Sequence, residues 1–422
     1  MNRTVELKIT GMTDQFYGKS QLNQNEVHVI GALDGEVVEA SILKKTKKAM
    51  IAVVSKVISP AKQRQEAPCP YFLNCSGCSL QHASAKTQLE MKSQWLENKI
   101  HFPVQFTETP PWHYRRRARL SVKFDAKKNN LMIGFREHKG WYVAKMDGCL
   151  ILPKAIHEAL PPLKDTLSGL SIKESICQVE VSSIGNAHAL IIRHLLPFSI
   201  EDIQKLHEFE KQSSLMIYTQ GNDLGIHKPG APDLIFAPQP LSIAGHDYLA
   251  DITDFVQINE RANLKLIEFI QKHMTKNRPV HDFFCGIGNI SLAISPDAQH
   301  VTGYELSTTM VEKAGKNTAI NAIENCDFMQ MDLFNIPSDS LQMSSEAVVI
   351  IDPPRSGAEA LCHVLQKQLV SQVIYVSCNA KTLISDLEIL SENYKLVSAH
   401  VFDMFSQTSH FETCVILEPK YH

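Results

Sequence analysis

The 422-residue sequence lacks several features that would place it among membrane, secreted or repeat proteins. No apolar run approaches the roughly 18 residues needed to cross a bilayer. Residues 1–20 contain no apolar core of the signal-peptide type, and no internal repeat or low-complexity tract is present. These absences predict a cytoplasmic protein that has no membrane partner and is built from ordinary folded domains.

Cysteine is not scarce, but it is unevenly distributed. In a reducing compartment the ten cysteines are not expected to form a disulfide framework. Three of them follow the pattern Cys69-x5-Cys75-x2-Cys78, and Cys149 follows much later. This spacing favours an iron–sulfur cluster. Structural zinc, which is usually held by two C-x2-C arms, and unligated thiols remain open alternatives.

The formal net charge of −3 hides a strongly basic region. Residues 113–145 contain ten Lys or Arg and two acidic side chains, and a strip of arginines begins this region at Arg115, Arg116, Arg117 and Arg119. Lys44, Lys45, Lys47 and Lys48 form a second basic stretch. Each could contact phosphates or could be an ordinary solvated surface, so a nucleic-acid partner remains open.

The chain length, at about 150 residues per domain, predicts roughly three domains. Residues 1–60 alternate polar and apolar residues between turn signals, which predicts a small β-barrel. Residues 61–250 mix strand and helix patterns and predict an α+β domain. Residues 251–422 alternate apolar strands with amphipathic helices, which predicts a parallel, doubly wound α/β sheet that ends in an antiparallel hairpin.

A glycine turn follows the first predicted strand of the C-terminal region. In HDFFCGIGNISLAI an apolar strand runs into Gly286-x-Gly288, and a helix is predicted from Asn289. Glu305 ends the next predicted strand, where a carboxylate can hold ribose hydroxyls, and Asp332 ends the one after it. A tight turn without a ligand is the alternative. The two acidic strand ends favour a nucleoside site.

Two more motifs follow later strands of the same predicted sheet. Asp352 is the last residue of AVVIID and is followed by two prolines, and Cys378 comes directly after QVIYVS. Most lone cysteines pack in cores. Cys378 differs because its strand should end at the edge that binds ligands, where a thiol can be exposed and reactive.

Together these motifs resemble the bacterial RNA uracil-5-methyltransferase family, and most closely its 23S ribosomal RNA branch. The resemblance extends over nearly the whole chain and implies three domains: a TRAM- or OB-like barrel (1–60), a central α+β domain with an iron–sulfur cluster (61–250) and a Rossmann-like methyltransferase domain (251–422). It implies S-adenosylmethionine as methyl donor, a [4Fe-4S] cluster, and a monomer that acts on RNA.

The resemblance also assigns roles to individual residues. Contacts to the methyl donor or target base are implied for Gln257, Phe284, Asn289, Glu305, Asp332 and Asp352. Cluster ligands are implied at Cys69, Cys75, Cys78 and Cys149, a nucleophile at Cys378 and a general base at Glu412. The chain has Ala380 and Leu150 where the family commonly has proline. Neither change removes a reactive group.

This family chemistry predicts that the Cys378 thiolate adds to carbon 6 of uracil, so that carbon 5 can take the methyl group before Glu412 removes its proton. The site is therefore expected to favour thiolate. The target base must leave its stack, which predicts a folded loop of 23S ribosomal RNA as the substrate. The alternatives are the T-loop uridine of transfer RNA and a non-catalytic iron–sulfur assembly factor that binds RNA.

Overall fold

The computed structural model describes residues 4–138, 142–222, 225–231, 233, 237–336 and 341–420. The predicted domain limits at residues 1 and 422 lie outside these ranges. Among the described residues, no helix is both long enough and apolar enough to cross a membrane.

The helices and strands are numbered in chain order. The α-helices are α1 Ala85–Ile100, α2 Lys154–Ser168, α3 Ile200–Ser213, α4 Glu260–His273, α5 Ser291–Ile294, α6 Thr308–Ile320, α7 Glu359–Lys367 and α8 Ala380–Leu390. Strands of the first half are β1 Thr4–Lys8, β2 Gly18–Leu22, β3 Asn25–Ile30, β4 Val37–Lys45, β5 Met50–Ser59, β6 Gln105–Thr107, β7 Arg117–Asp125, β8 Asn130–Gly134, β9 Ile176–Ile184 and β10 Ala187–His194. The remaining strands are β11 Met216–Gln220, β12 Gln239–Ile243, β13 His246–Ala250, β14 Pro279–Phe283, β15 His300–Glu305, β16 Cys326–Gln330, β17 Val348–Ile351, β18 Gln372–Ser377, β19 Tyr394–Phe402 and β20 Glu412–Pro419.

The N-terminal strands form one sheet in the order β1-β4-β5-β3-β2. Its two ends also meet, because Thr10 N donates to Lys19 O (2.9 Å) and Lys19 N donates to Gly11 O (2.7 Å). Alternate side chains such as Val27 and Val29 are buried between the strands, as the period-two pattern predicted. The lysine-rich stretch between β4 and β5 is exposed.

The central region contains a second sheet, ordered β11-β10-β9-β7-β8. Helix α2 contacts both α3 and β8. The sheet and α2 share one apolar core that includes Leu120, Val179 and Leu163. The same cluster includes Cys75 and Cys149, so the cysteine-rich loop packs against this core.

The C-terminal sheet has the order β16-β15-β14-β17-β18-β20-β19-β6. Strands β14 to β18 are parallel, and β20 pairs antiparallel with both β18 and β19. This confirms the predicted doubly wound sheet and its terminal hairpin. The carboxyl ends of the parallel strands, where such sheets bind ligands, come together at one edge.

Two elements from early in the chain belong to this C-terminal sheet. Strand β6 pairs in parallel with β19, and α1 packs against β19, β6 and α8. Leu89 and Leu96 of α1 share an apolar cluster with Val401 and Phe411. The C-terminal sheet is therefore covered in part by a helix and extended by a strand that precede most of the central region in the chain.

The helix predicted from Asn289 is shorter than its pattern suggested. Residues 286–290 form turns, α5 covers only Ser291–Ile294, and a short 3₁₀ helix, Ser295–Asp297, follows. Pro296 explains the early end, because proline cannot donate the hydrogen bond that would continue an α-helix.

Candidate active site

A cavity of about 480 Å³ lies at the carboxyl edge of the C-terminal sheet. Four of the six residues predicted to contact the donor or base line it, namely Gln257, Phe284, Asn289 and Asp352. The rest of the lining is mainly apolar, with Phe255, Val256 and Ile290 among its residues. An apolar cavity with a few polar groups is typical of a small-molecule site.

The turn after β14 shapes this cavity through backbone conformations that most residues avoid. Phe284 and Gly286 have φ of 66° and 58°, and Gly288 has φ of 89°. A Cβ on Gly288 would lie 2.4 Å from Leu292 Cδ1, so glycine is required there. Phe284 is not a glycine, and its left-handed conformation is the kind of strain that concentrates at ligand sites.

Glu305 ends β15 as predicted and is fixed beside the glycine turn. Its Oε2 accepts from Gly286 N (3.2 Å), and its Oε1 accepts from Ser307 N (3.0 Å). The carboxylate is therefore adjacent to the cavity, although the side chain does not line it.

Asp332 is placed differently from its prediction. Strand β16 ends at Gln330, so Asp332 lies in the loop beyond it. Its carboxylate accepts from Phe334 N (3.0 Å) and Asn335 Nδ2 (2.8 Å) and does not line the cavity. These local hydrogen bonds end the strand early because they stabilise a turn.

Asn289 and Gln257 are each held by a second polar side chain. Asn289 and Asn263 exchange two amide hydrogen bonds, of 3.0 and 2.8 Å. Gln257 Nε2 donates to Asp352 Oδ2 (3.3 Å). The sequence reasoning missed Asn263, although an asparagine on the apolar face of a helix is a signal that could have indicated it.

Asp282 is a second residue that the sequence reasoning missed. It lines the cavity, is buried within β14 and accepts a hydrogen bond from the Ser291 hydroxyl. Burial, with a smaller contribution from Asp352, raises the pKa of its carboxyl to about 7. An aspartate within an otherwise apolar strand was the available signal, since such a group is rarely buried without a partner.

Cys378 follows β18 and is partly buried at the same edge of the sheet. Burial raises the pKa of its thiol to about 11, and the Glu412 and Asp352 carboxylates contribute in the same direction, while Arg355 opposes them. The expectation that the site favours thiolate is therefore wrong for the protein alone. The main physical reason is that burial removes water from the thiolate, and the nearby Glu412 and Asp352 carboxyl groups add to this effect when they are ionised.

Glu412 is the first residue of β20 and is 2% exposed. Burial raises the pKa of its carboxyl well above the usual range, and Asp352 adds to this shift. Within the described residues its Oε1 atom has no hydrogen-bond partner. Buried polar atoms usually have partners, so this oxygen is available to a ligand. Burial likewise raises the pKa of Asp352, to about 7.

The loops that carry Asp352 and Cys378 are joined. Asn379 Nδ2 donates to Arg355 O (2.7 Å), and Asn379 Oδ1 accepts from Lys381 N (3.3 Å) at the start of α8. A nucleophile, a raised-pKa carboxyl and a carboxyl beside the cavity thus lie on adjoining strands. This arrangement can combine covalent attack with proton removal next to a bound small molecule.

The four predicted cluster ligands lie together elsewhere. Cys69, Cys75, Cys78 and Cys149 line one cavity of about 320 Å³. Burial raises the pKa of Cys75 to about 12 and that of Cys149 to about 11, and the other thiols of the group add to both shifts. Burial also raises the pKa of Cys78.

N–H groups point at these sulfurs. Gly77 N donates to Cys75 Sγ (3.4 Å). The backbone N–H groups of Ile151 and Leu152 form hydrogen bonds with Cys149. The Gln81 side chain forms a hydrogen bond with Cys78. Such donors suit thiolates bound to a metal cluster. In the described part of the chain no group of three or more His, Cys, Asp or Glu is arranged as a metal site. The four thiols are therefore chemically suited to bind a cluster. They line one cavity, but they are not arranged around a common point as the ligands of a metal would be.

Much of the arginine strip is engaged with protein. Arg116 is buried and pairs with Glu260 of α4, and Arg117 donates to the carbonyl oxygens of Thr253 and Asp254. Arg119 keeps an exposed side chain. The hypothesis of RNA contact is therefore wrong for Arg116 and Arg117, whose guanidinium groups join the central sheet to the C-terminal region.

Comparisons with known proteins agree with this geometry. The family model described as tRNA (Uracil-5-)-methyltransferase matches residues 84–420. Two relatives, from Francisella tularensis subsp. novicida (strain U112) and Legionella pneumophila (strain Lens), both carry the name 23S rRNA (uracil(1939)-C(5))-methyltransferase RlmD and are 33% identical to this chain. The alignments cover 98% and 97% of this chain and 96% of each relative.

A solved structure has the same fold over nearly the full length. It is the Pyrococcus abyssi tRNA (uracil-54, C5)-methyltransferase in complex with S-adenosyl-L-homocysteine, with a TM-score of 0.76 and 21% identity. The match covers 98% of this chain and 100% of that one.

Proposed function

Because this chain belongs to the tRNA (uracil-5-)-methyltransferase family, we propose that it methylates carbon 5 of a uridine in 23S ribosomal RNA, with S-adenosylmethionine as donor and Cys378 as covalent nucleophile. RNA uracil methylation at carbon 5 is the activity of the family. The 23S substrate is taken from the relatives at 33% identity, whose names specify it.

The observation that carries the proposal is the meeting of Cys378, Glu412 and Asp352 beside the cavity after β14. Glu412 and Asp352 both raise the pKa of Cys378, and Asp352 raises the pKa of Glu412, which requires the three groups to be close. Glu412 has the raised pKa and the unpartnered oxygen that a proton acceptor needs.

The proposed reaction proceeds in three steps. The Cys378 thiol loses its proton to solvent, its sulfur bonds to carbon 6 of uracil, and the electron pair of the double bond between carbons 5 and 6 moves to form an enolate. Carbon 5 then takes the methyl group from the sulfonium, which leaves as S-adenosylhomocysteine. Finally Glu412 takes the proton from carbon 5, the double bond between carbons 5 and 6 forms again, and the carbon–sulfur bond breaks to return thiolate.

Other residues would bind rather than react. Gln257, Phe284, Asn289 and Glu305 lie at or beside the cavity, which supports contacts to the donor. Asp352, hydrogen-bonded to Gln257, would orient the uracil ring. Asp332 would reach the donor only if its loop rearranged.

The four thiols fit a [4Fe-4S] cluster, which would supply positive charge to balance four buried thiolates. We assign the cluster to the central domain (61–250), between a TRAM-type barrel (1–60) and the methyltransferase domain (251–422). The exposed lysines after β4 and the Arg119 side chain support an RNA-binding role for the first two domains. We expect a cytoplasmic monomer.

The test is methyl transfer from labelled S-adenosylmethionine to separated 23S, 16S and transfer RNA, followed by mapping of the labelled nucleotide. Label at carbon 5 of one uridine in 23S RNA is expected. Label in the T loop of transfer RNA would instead support transfer RNA uracil methylation, the activity for which the Pyrococcus abyssi protein is named. Binding of RNA without any methyl transfer would support a non-catalytic assembly factor.

A further inference from the structure

The segment between β19 and β20, residues 403–410, leads directly into Phe411 and Glu412. It has no regular secondary structure, and Gln407 within it has a left-handed φ of 69°. A non-glycine residue in that conformation persists only when its surroundings hold it. The position of Glu412 therefore depends on what holds the 403–410 segment.

Gln88 of α1 holds the middle of this segment. Gln88 Nε2 donates to Gln407 Oε1 (2.9 Å), and Gln407 N donates to Gln88 Oε1 (3.0 Å). Gln88 is 0% exposed and Gln407 is 2% exposed. A buried amide pair that exchanges hydrogen bonds in this way favours one geometry, because a shift would leave polar groups unpaired away from water.

The residues that follow Cys78 complete the contact. Ser79 N and Leu80 N both donate to Gln407 O, at 2.8 and 3.1 Å. Gln88 Nε2 also donates to Leu80 O (3.0 Å). One buried amide thus contacts both the end of the cysteine loop and the segment that carries Glu412.

A second contact lies one helical turn along α1. Lys92 Nζ pairs with Asp403 Oδ1 (3.3 Å), and both side chains are buried. Asp403 also accepts from the Ser406 hydroxyl, and its backbone oxygen accepts from Asn259 Nδ2 (3.1 Å). A buried ion pair contributes little net stability but is costly to break, so it favours one arrangement of the segment.

We propose that Gln88 is a positioning residue that couples the cysteine loop to Glu412. The inference rests on the proposed function, because it concerns the proton-removal step. Glu412 acts only after the methyl group has been transferred. A loosened 403–410 segment should therefore slow release of the methylated RNA far more than it slows methyl transfer.

The test compares Gln88→Met with Gln94→Met, the same substitution at an exposed position of the same helix. Single-turnover reactions with labelled methyl donor would follow formation and decay of the denaturant-stable protein–RNA adduct. In Gln88→Met the adduct should decay about 10- to 100-fold more slowly, the range expected from a small misplacement of a reacting group. Adduct formation should change less than about threefold, and Gln94→Met should match the unchanged enzyme.

A double variant separates positioning from general damage. If Gln88 acts through Glu412, then Gln88→Met should not slow adduct decay further in a Glu412→Gln background. Equal slowing of formation and decay, or additive effects in the double variant, would overturn the proposal. If Gln88→Met does not fold, Gln88→Glu provides the same comparison, since it keeps the acceptor for Gln407 N but loses the donor.

Hydrogen exchange tests the link to the cysteine loop without measuring activity. In Cys75→Ser, peptides from the 403–410 segment should exchange faster, while peptides from β14 and β15 should not change. Unchanged exchange in the segment would refute the coupling. Failure of the unchanged enzyme to methylate any RNA would refute the proposed function and leave this exchange result interpretable.

Discussion

The two cysteine sites of this protein bury thiols in opposite surroundings. In the cavity of Cys69, Cys75, Cys78 and Cys149, the thiols are faced by one another and by N–H donors. At the edge of the C-terminal sheet, Cys378 is faced by two carboxylates and Arg355. In the first set the thiols surround one another, whereas in the second a single thiol lies among carboxyl groups that add to the rise of its pKa.

The comparison shows that a raised thiol pKa does not by itself separate a structural cysteine from a nucleophile. Burial is the largest cause at both sites. The neighbours are what differ. Thiolates in the first cavity need a metal to compensate their charge. The anionic form of Cys378 should instead be favoured when the sulfonium of the bound donor adds a positive charge nearby.

The largest expected effect comes from removing the second thiol. Cys378→Ala should abolish methyl transfer, because no other group at the edge can add to carbon 6. Donor binding should stay within about tenfold, or roughly 1.4 kcal/mol, since the donor cavity is lined by other residues. Calorimetric titration with the donor, beside a methyl-transfer assay, measures both. Substantial residual activity would show that Cys378 is not the nucleophile.

Loss of a cluster ligand should affect metal content first. The protein purified without air should be brown, with about four iron and four sulfide per chain, as a [4Fe-4S] cluster requires. Cys75→Ser should lose this colour, whereas Cys378→Ala should keep it. Stoichiometric zinc without iron, in protein from iron-replete cells, would contradict the cluster and favour the zinc alternative.

Glu412→Gln should separate methyl transfer from release. Turnover should fall by about 10² to 10⁴, as is typical for loss of a general base. The variant should accumulate a denaturant-stable adduct that contains the transferred methyl group. RNA with 5-fluorouridine at the target should trap the unchanged enzyme similarly, and the additional change Cys378→Ala should eliminate both adducts. Normal turnover, or failure before methyl transfer, would mean that another group is the base.

The smallest expected effect concerns the reactivity of the free Cys378 thiol. Because its pKa is about 11, alkylation by iodoacetamide should accelerate about tenfold per pH unit between roughly pH 7 and 10. Once Glu412 is ionised its charge opposes the thiolate, so Glu412→Gln should lower the pKa of Cys378 and accelerate alkylation at about pH 10 by up to about tenfold, the effect of one pKa unit. Mass spectrometry of the Cys378 peptide measures this, with exposed Cys177 as internal reference. No acceleration would mean that Glu412 does not repel the thiolate.

Local patterns in the sequence predicted the C-terminal sheet well. Strands β15 and β18 end where they were predicted to end, at Glu305 and directly before Cys378, and β17 ends one residue before Asp352, because buried parallel strands are short apolar runs with sharp ends. The error at Asp332 arose because side-chain hydrogen bonds in a turn competed with the strand, and apolar periodicity does not report such bonds.

No sequence pattern indicates the long-range contacts around Glu412. Gln88 and Gln407 are 319 residues apart in the chain. Nothing in the neighbouring sequence distinguishes either residue from a solvent-exposed glutamine. The same holds for Lys92 and Asp403, whose charges would be expected on the surface. The roles assigned to the site residues stay predictions until the variants are measured.

The sequence alone determined the family, the alternation of strands and helices in the C-terminal region and the residue types available for chemistry. These features depend on local spacing, because the residues of a strand and the reactive side chain at its end are neighbours in the sequence. Tertiary structure alone decided that Glu412 is buried, that Cys378 is neutral, and that α1 and the cysteine loop hold the segment before Glu412. Burial and charge repulsion depend on groups that are far apart in the chain, and only the folded chain brings those groups within reach of one another.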